Sequence, residues 1–472
     1  MPASLAVAMS RSARLFAAVR EAVGGTRQDF TEGSLGRAIM LLAIPMVLEM
    51  IMESLFGVVN IFFVARLGSD AASAVGMTES VLTILYTVAM GLSMATTATV
   101  ARRIGEKDPA GARASAAQAI GAGIIVSIVA GTLGARFAPQ LLGAMGAWPS
   151  LLEAGSAYTS LMLGGSGTIV LLFLLNAIFR GAGDAAIAMR SLWLANLVNI
   201  LLVPCLVVGW GPFPKMGLTG AALGTTIGRG VGVVYQVWSL FGGNGRVVLR
   251  MENIRFQARL MVDLLRISLP GMFQYGIATA SWLGLVRIIS TYGSAALAGY
   301  TIAIRIFVFA ILPSWGMANA AATLVGQNLG AGKPGRAEQA VWRTGFYNMI
   351  FLGSVAVVFI LFAGSVIRVF THDPEVVAMG TDCLRFISYG YPFFAFGMVV
   401  VQAFNGAGDT TTPTIVNLFC YWLWEIPLAY ALAMWAGMGP RGVFLAIAIA
   451  ESTTACVGIV MFRRGRWKLR KV

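Results

Sequence analysis

The chain reads the same way twice at a fixed spacing of 225 residues. Pro45 of Leu42-Ala43-Ile44-Pro45 has its counterpart in Pro270 of Ile267-Ser268-Leu269-Pro270, and Gly68-Ser69 in Gly293-Ser294. Ile104-Gly105 and Pro109 match Leu329-Gly330 and Pro334, and Gly181-Ala182-Gly183-Asp184 matches Gly406-Ala407-Gly408-Asp409. The register holds without a slip over about 200 residues, so the two halves must fold alike. Duplicated membrane folds of this kind put their binding site at the interface between the repeats.

The solvent for this fold is lipid. Hydrophobic residues make up 58% of the 472, charged residues 11%, and the mean hydropathy is +0.79, where a soluble domain carries about 25% charge. Twelve apolar runs meet the roughly 20 residues that a spanning helix requires. They lie near 38–64, 72–99, 114–138, 155–179, 189–210, 217–241, 266–291, 295–322, 342–364, 378–404, 412–436 and 442–462. Six per half is an even number, so both halves enter the membrane from the same side as parallel repeats. The expected fold is all-α, with two six-helix lobes (37–241 and 263–462) around a central cleft. Three basic segments flank the lobes: 1–36, 242–262 and 463–472.

The net charge of +14 follows topology and gives no sign of nucleic acid. With the N-terminus inside, the cytoplasmic segments collect most of the basic residues: Arg11 to Arg37, Arg102 to Arg113, Arg180 and Arg190, Arg246 to Arg266, Lys333 to Arg343, and Arg463 to Lys471. Outside fall Arg66, Arg136, Lys215, Arg368, Arg385 and Arg441. Both termini are therefore expected in the cytoplasm of a cell with this protein in its inner (plasma) membrane. Membrane lipids are expected partners, and attraction to anionic lipid accounts for the rest of the basic charge. In the first segment, Leu15, Phe16, Val19 and Val23 form one face of an interfacial helix if the segment orders at all.

Soluble chemistry finds no foothold. The four cysteines stand singly without metal spacing, and the only histidine, His372, falls in a loop. No GxxxxGK[ST] motif is present, so neither an ATP-driven pump nor an enzyme is expected, and no cofactor.

Three motifs make the reading specific: Leu42-Ala43-Ile44-Pro45 leading to Val59-Asn60-Ile61-Phe62-Phe63-Val64-Ala65-Arg66-Leu67-Gly68; Arg180-Gly181-Ala182-Gly183-Asp184; and Val325-Gly326-Gln327-Asn328-Leu329-Gly330-Ala331-Gly332. Their order, spacing and duplication, over about residues 38 to 462, resemble the multidrug and toxic compound extrusion (MATE) family, in its prokaryotic DNA-damage-inducible-type branch. The resemblance implies a secondary transporter that exports organic, often cationic, compounds against an inward flow of protons or sodium, and a monomer is expected. The wider superfamily also holds flippases for lipid-linked sugars and similar amphiphiles.

Proline within the first helix of each lobe, at 45 and 270, removes a backbone hydrogen bond and permits a kink. It is either a mobile hinge or a packing defect, and its recurrence favours the hinge. The Gly-Ala-Gly-Asp segments fit tight turns in which Asp caps the next helix.

Carboxylates inside hydrocarbon carry the chemical signal, and five qualify: Glu49, Glu53, Glu79, Glu425 and Glu451. Helical spacing puts Glu49, Glu53 and Asn60 on one face. The resembling branch usually has an aspartate where Asn60 stands, and another four residues after an asparagine matching Asn199, at Val203. The sodium-driven branch has acidic residues in the seventh and tenth helices that are missing here, with Phe394 near the latter position. Glu53 is therefore expected as the main coupling carboxylate, assisted by Asn60, Asn199 and by Glu49 or Glu79. Glu425, in Trp422-Leu423-Trp424-Glu425, is expected alone among aromatics as a seat for an organic cation, with Trp422 and Trp424 supplying ring faces. The duller alternative makes these tryptophans packing or lipid-facing residues. Of the arginines within spans, Arg305 is expected to pair with a buried glutamate, and Arg229 and Arg287 to snorkel.

Overall fold

A computed structural model describes residues 11–26, 28–65, 67–243, 245–250, 255–470 and 472, with the side chains of 11–16, 58–61 and 65 outside the described set. Among the described residues the chain is helical, without a strand. Helix α1 (Arg11–Gly24) precedes the first lobe, which holds α2 (Leu35–Ala65), α3 (Ser69–Gly105), α4 (Pro109–Ala144), α5 (Pro149–Gly164), α6 (Ser166–Ala182), α7 (Ala185–Pro204) and α8 (Gly217–Phe241). The second lobe repeats the order with α9 (Ala258–Ser290), α10 (Ser294–Gly330), α11 (Pro334–Arg368), α12 (Pro374–Tyr389), α13 (Tyr391–Gly406), α14 (Thr411–Asn417), α15 (Ile426–Tyr430) and α16 (Pro440–Arg463). Counted as spans, α5 with α6, α12 with α13, and α14 with α15 are single crossings. The protein is thus a twelve-helix, multi-pass membrane protein of two parallel repeats.

The repeat reaches into backbone detail. The fourth span of each lobe breaks at one glycine, Gly165 and Gly390, where the sixth helix passes close by: a Cβ on Gly165 would stand 2.6 Å from the Thr226 side chain, and one on Gly390 3.2 Å from the backbone of Ala448. The second break bends α12 from α13 by 56°. Gly68 and Gly293 start α3 and α10 at φ of 103° and 95°, a region that favours glycine.

The lobes are joined by exchanged helices. The second helix of each lobe crosses the first helix of the other, so α10 packs on α2 and α3 packs on α9. Both crossings centre on a glycine next to the proline turn. A Cβ on Gly316 would stand 2.5 Å from the Met46 carbonyl oxygen, and one on Gly91 2.7 Å from that of Ser268. Such bare contacts are how membrane helices approach closely where lipid supplies no hydrophobic drive. Each proline lies beside one of these crossings, and α2 runs unbroken through Pro45. In α9, two carbonyls of the proline turn also accept side-chain bonds from the start of the fifth span, Ile267 O from Thr410 Oγ1 at 2.7 Å and Pro270 O from Thr414 Oγ1 at 2.8 Å.

At the end bearing the Gly-Ala-Gly-Asp turns the lobes are sealed. Gly105 abuts the Gln327 carbonyl, and its counterpart Gly330 abuts that of Arg102. A strap over residues 28–33 lies across this seal. Buried Phe30 sits beneath the Arg246 guanidinium at 4.9 Å, Lys333 Nζ donates to Thr31 O at 3.0 Å, and Arg336 donates to Gly33 O at 3.0 Å. Burial alone would raise the Asp29 carboxyl, but the hydroxyl and amide of Thr31 and the fields of Lys107 and Arg246 hold it below its ordinary value. The tail crosses back: Lys468 pairs with Glu338 at 2.6 Å, Arg470 with Asp409 at 3.0 Å, and Arg102 donates to the Arg470 carbonyl. The N-terminal helix α1 forms and docks on this same end, through Arg37–Glu21 at 2.6 Å and Arg190 to Val23 O at 2.8 Å.

Candidate functional site

Above the seal lies a cleft that extends into the second lobe as a cavity of about 390 Å³. Aromatic rings from Tyr275, Trp282, Phe307, Trp315, Phe394 and Tyr421 wall it. Glu451 is the one charged residue of its described lining. Helix α16 brings Glu451, Thr454 and Ala455 to one face because they lie three and four residues apart. Tyr421 OH donates to Glu451 Oε2 at 3.4 Å.

Glu425 lies close behind this wall, 2% exposed, within the field of Glu451. It is neither alone nor seated between tryptophans, which corrects the expectation. Residues Leu418–Glu425 form a π-helical stretch, whose wider turn stacks Tyr421 and Glu425 on the inner face and turns their neighbours outward. Trp422 is 42% and Trp424 45% exposed. Trp422 Nε1 donates to Ile277 O at 3.1 Å, and Trp424 lines an outer groove with Leu423 and Pro427.

The floor of the cleft, about 140 Å³, shares Met94, Tyr275, Trp315, Gln402 and Asn405 with the cavity and adds Met50, Met90 and Arg180. Arg180 pairs with Glu49, Nη1 to Oε1, at 3.2 Å. Adding 225 to each gives Gln274 and Asn405, an amide pair where the first lobe has an ion pair. A directed chain of amides continues from there: Asn405 Nδ2 donates to Gln402 Oε1 and Gln402 Nε2 to Asn319 Oδ1, each at 2.9 Å.

The first-lobe interior holds a second charged group. Arg229 is buried, donates to Tyr86 OH at 3.1 Å and lies 5.1 Å over the Phe56 ring. It does not snorkel, because α8 faces the lobe interior and the hydroxyl and ring take up its charge. Its field reaches Glu53, half-buried one turn beyond Glu49, and also Glu79, which is exposed on α3. Exposed Arg305 has Glu79, and no buried glutamate, within its field. Asn199 is buried, and its Nδ2 donates to Thr225 Oγ1 at 3.2 Å. The side chain of Asn60 lies outside the described residues. Glu49, Glu53 and Arg229 are thus gathered on the first lobe's inner side, and Asn199 is tied to α8.

Sequence reasoning missed Arg180, which it counted among the cytoplasmic basic residues, and gave Glu451 no role. The repeat carried a signal for the first: positions 49 and 180 are polar in both halves, as Glu with Arg and as Gln with Asn.

Comparison with known proteins sets the class. The chain is 25% identical over 440 residues to a probable multidrug resistance protein NorM of Thermotoga maritima, covering 92% of this chain and 94% of that one. It is 23% identical to a FAD transporter of Shewanella oneidensis, over 92% and 95% of the two chains. A solved structure of the outward-facing conformation of a multidrug resistance MATE family transporter of the MOP superfamily superposes with a TM-score of 0.88 at 26% identity, over 94% of this chain and 100% of that one. Two parallel six-helix lobes around a cleft define a membrane transporter, not an enzyme. The MatE family model matches residues 45–205 and 270–431, once per lobe, and the chain belongs to that family. Its likeness to named multidrug efflux proteins supports multidrug efflux.

Proposed function

We propose that the protein is an antiporter that exports organic cations in exchange for protons or sodium by alternating access, with both termini on the cytoplasmic side of the inner membrane. The observation that carries this reading is the aromatic cavity of the second lobe, whose described lining holds Glu451 and no Lys or Arg. Ring faces and a desolvated carboxylate attract an organic cation more strongly than water does. A lipid-linked pyrophosphate would meet the wrong charge there, and Arg180 in the adjoining floor is already paired with Glu49. Coupling is assigned to Glu53, with Glu49 or Glu79, Asn60 and Asn199 as its polar surroundings, and Pro45 and Pro270 as hinges beside the glycine crossings.

The test is accumulation, in cells, of a fluorescent organic cation and of a neutral dye of matched ring system. Cells expressing the protein should hold less of the cation, a protonophore or sodium replacement should abolish the difference, and Glu451→Gln should reduce it. Equal export of the neutral dye, or export unchanged in Glu451→Gln, contradicts the reading.

A further inference from the structure

The second-lobe cavity is rich in acceptors that its own walls leave unused. Gln274 and Asn405 both line it, 5% and 2% exposed, and Gln274 Oε1 and Asn405 Oδ1 are buried without a hydrogen-bond partner among the described residues. Of the neighbouring amide donors, Asn405 Nδ2 goes to Gln402 and Gln402 Nε2 to Asn319. Glu451 adds a carboxylate whose Tyr421 bond is long, 3.4 Å. In the first lobe the equivalent positions are Glu49 and Arg180, which partner each other. The second lobe has two amides in place of that ion pair.

We infer that this cavity selects cations that carry N–H groups, such as protonated amines, amidines and guanidines, over quaternary ammonium ions of the same charge and ring system. The inference rests on the cation reading of the cavity given above and adds the direction of its specificity. A buried carbonyl without a donor is costly, and a ligand N–H removes that cost while a methyl group cannot. Ring faces attract both kinds of ion, so the acceptors decide between them. A site built to hydrogen-bond its ligand rejects the analogue that lacks the donor.

The test measures the affinity of the purified full-length protein for a fluorescent arylmethylammonium and for its N,N,N-trimethyl analogue. In Gln274→Met the ratio of the two affinities should shift by about tenfold towards the trimethyl compound, the size of one hydrogen bond to a charged group. The trimethyl affinity itself should change less than about twofold. An unchanged ratio overturns the inference. Glu451→Gln should weaken both compounds, because both are cations; if it weakens neither, the cation reading itself fails, whatever the ratio does. Should Gln274→Met not fold, the parent protein is titrated with the primary, secondary, tertiary and trimethyl members of the series. A drop confined to the loss of the last N–H supports the inference, and a smooth trend with size overturns it.

Discussion

Glu49 and Arg180 lie 3.2 Å apart across α2 and α6, and their counterparts 225 residues on, Gln274 and Asn405, carry no charge. The shared position is structural and the charge is particular to one lobe. Breaking a buried ion pair by removing one partner leaves the other uncompensated, at about 3–5 kcal/mol. Glu49→Gln alone should therefore lower the thermal unfolding temperature in detergent markedly. Glu49→Gln with Arg180→Asn, which copies the second lobe's amides into the first, should regain much of the loss. A double variant that melts at the sum of the two single losses would show that the pair does not act as a unit.

The glycine crossings give a test with opposite signs. Gly316→Ala drives a methyl group into the Met46 backbone, and overpacking of this kind costs about 1–3 kcal/mol. Gly57, within α2, has nothing within 4 Å of its Cβ position, so Gly57→Ala should be neutral or stabilising by up to about 1 kcal/mol through helix propensity. Thermal unfolding of the two purified variants should place Gly316→Ala below the parent and Gly57→Ala at or above it.

Much of this fold is legible in the sequence because lipid enforces it. Hydrocarbon admits only helices or closed barrels, and apolar runs of roughly 20 residues select helices, so the twelve runs and their parallel pairing follow from hydropathy and parity. The exchange of helices between lobes is not legible, since Gly91 and Gly316 are two among 56 glycines and only their contacts separate them. The site was harder to read for a local reason. The π-helical stretch Leu418–Glu425 rotates Trp422 away from Glu425, and Trp424, its immediate neighbour, also points outward, whereas sequence proximity had placed them together. Arg229 was misread because hydropathy has no record of Tyr86 and Phe56, which arrive from other helices.

Glu53 is the carboxylate of α2 that faces the field of Arg229 without belonging to the Glu49 pair. Glu53→Gln should abolish gradient-driven export while the protein still inserts and melts near the parent temperature. Export at the parent rate by that variant would remove Glu53 from coupling.

The strap across the sealed end is sensitive to acid through Asp29. Its carboxyl lies below its ordinary value when folded, so its contribution is whole above the ordinary carboxylate range, about pH 4, and fades as pH falls through the depressed value. Protease cleavage within residues 28–33 should rise on acidification in the parent, and Asp29→Asn should already show it at neutral pH. Equal cleavage of the two proteins at neutral pH would show that Asp29 does not hold the strap.

The most direct measurement is transport by the purified protein in liposomes, with an organic cation and with imposed proton and sodium gradients in turn. The cation should move against its own gradient when one of the two ions runs the other way, and stop when that gradient is collapsed. Movement that only follows the cation's own gradient, under either ion, would contradict antiport.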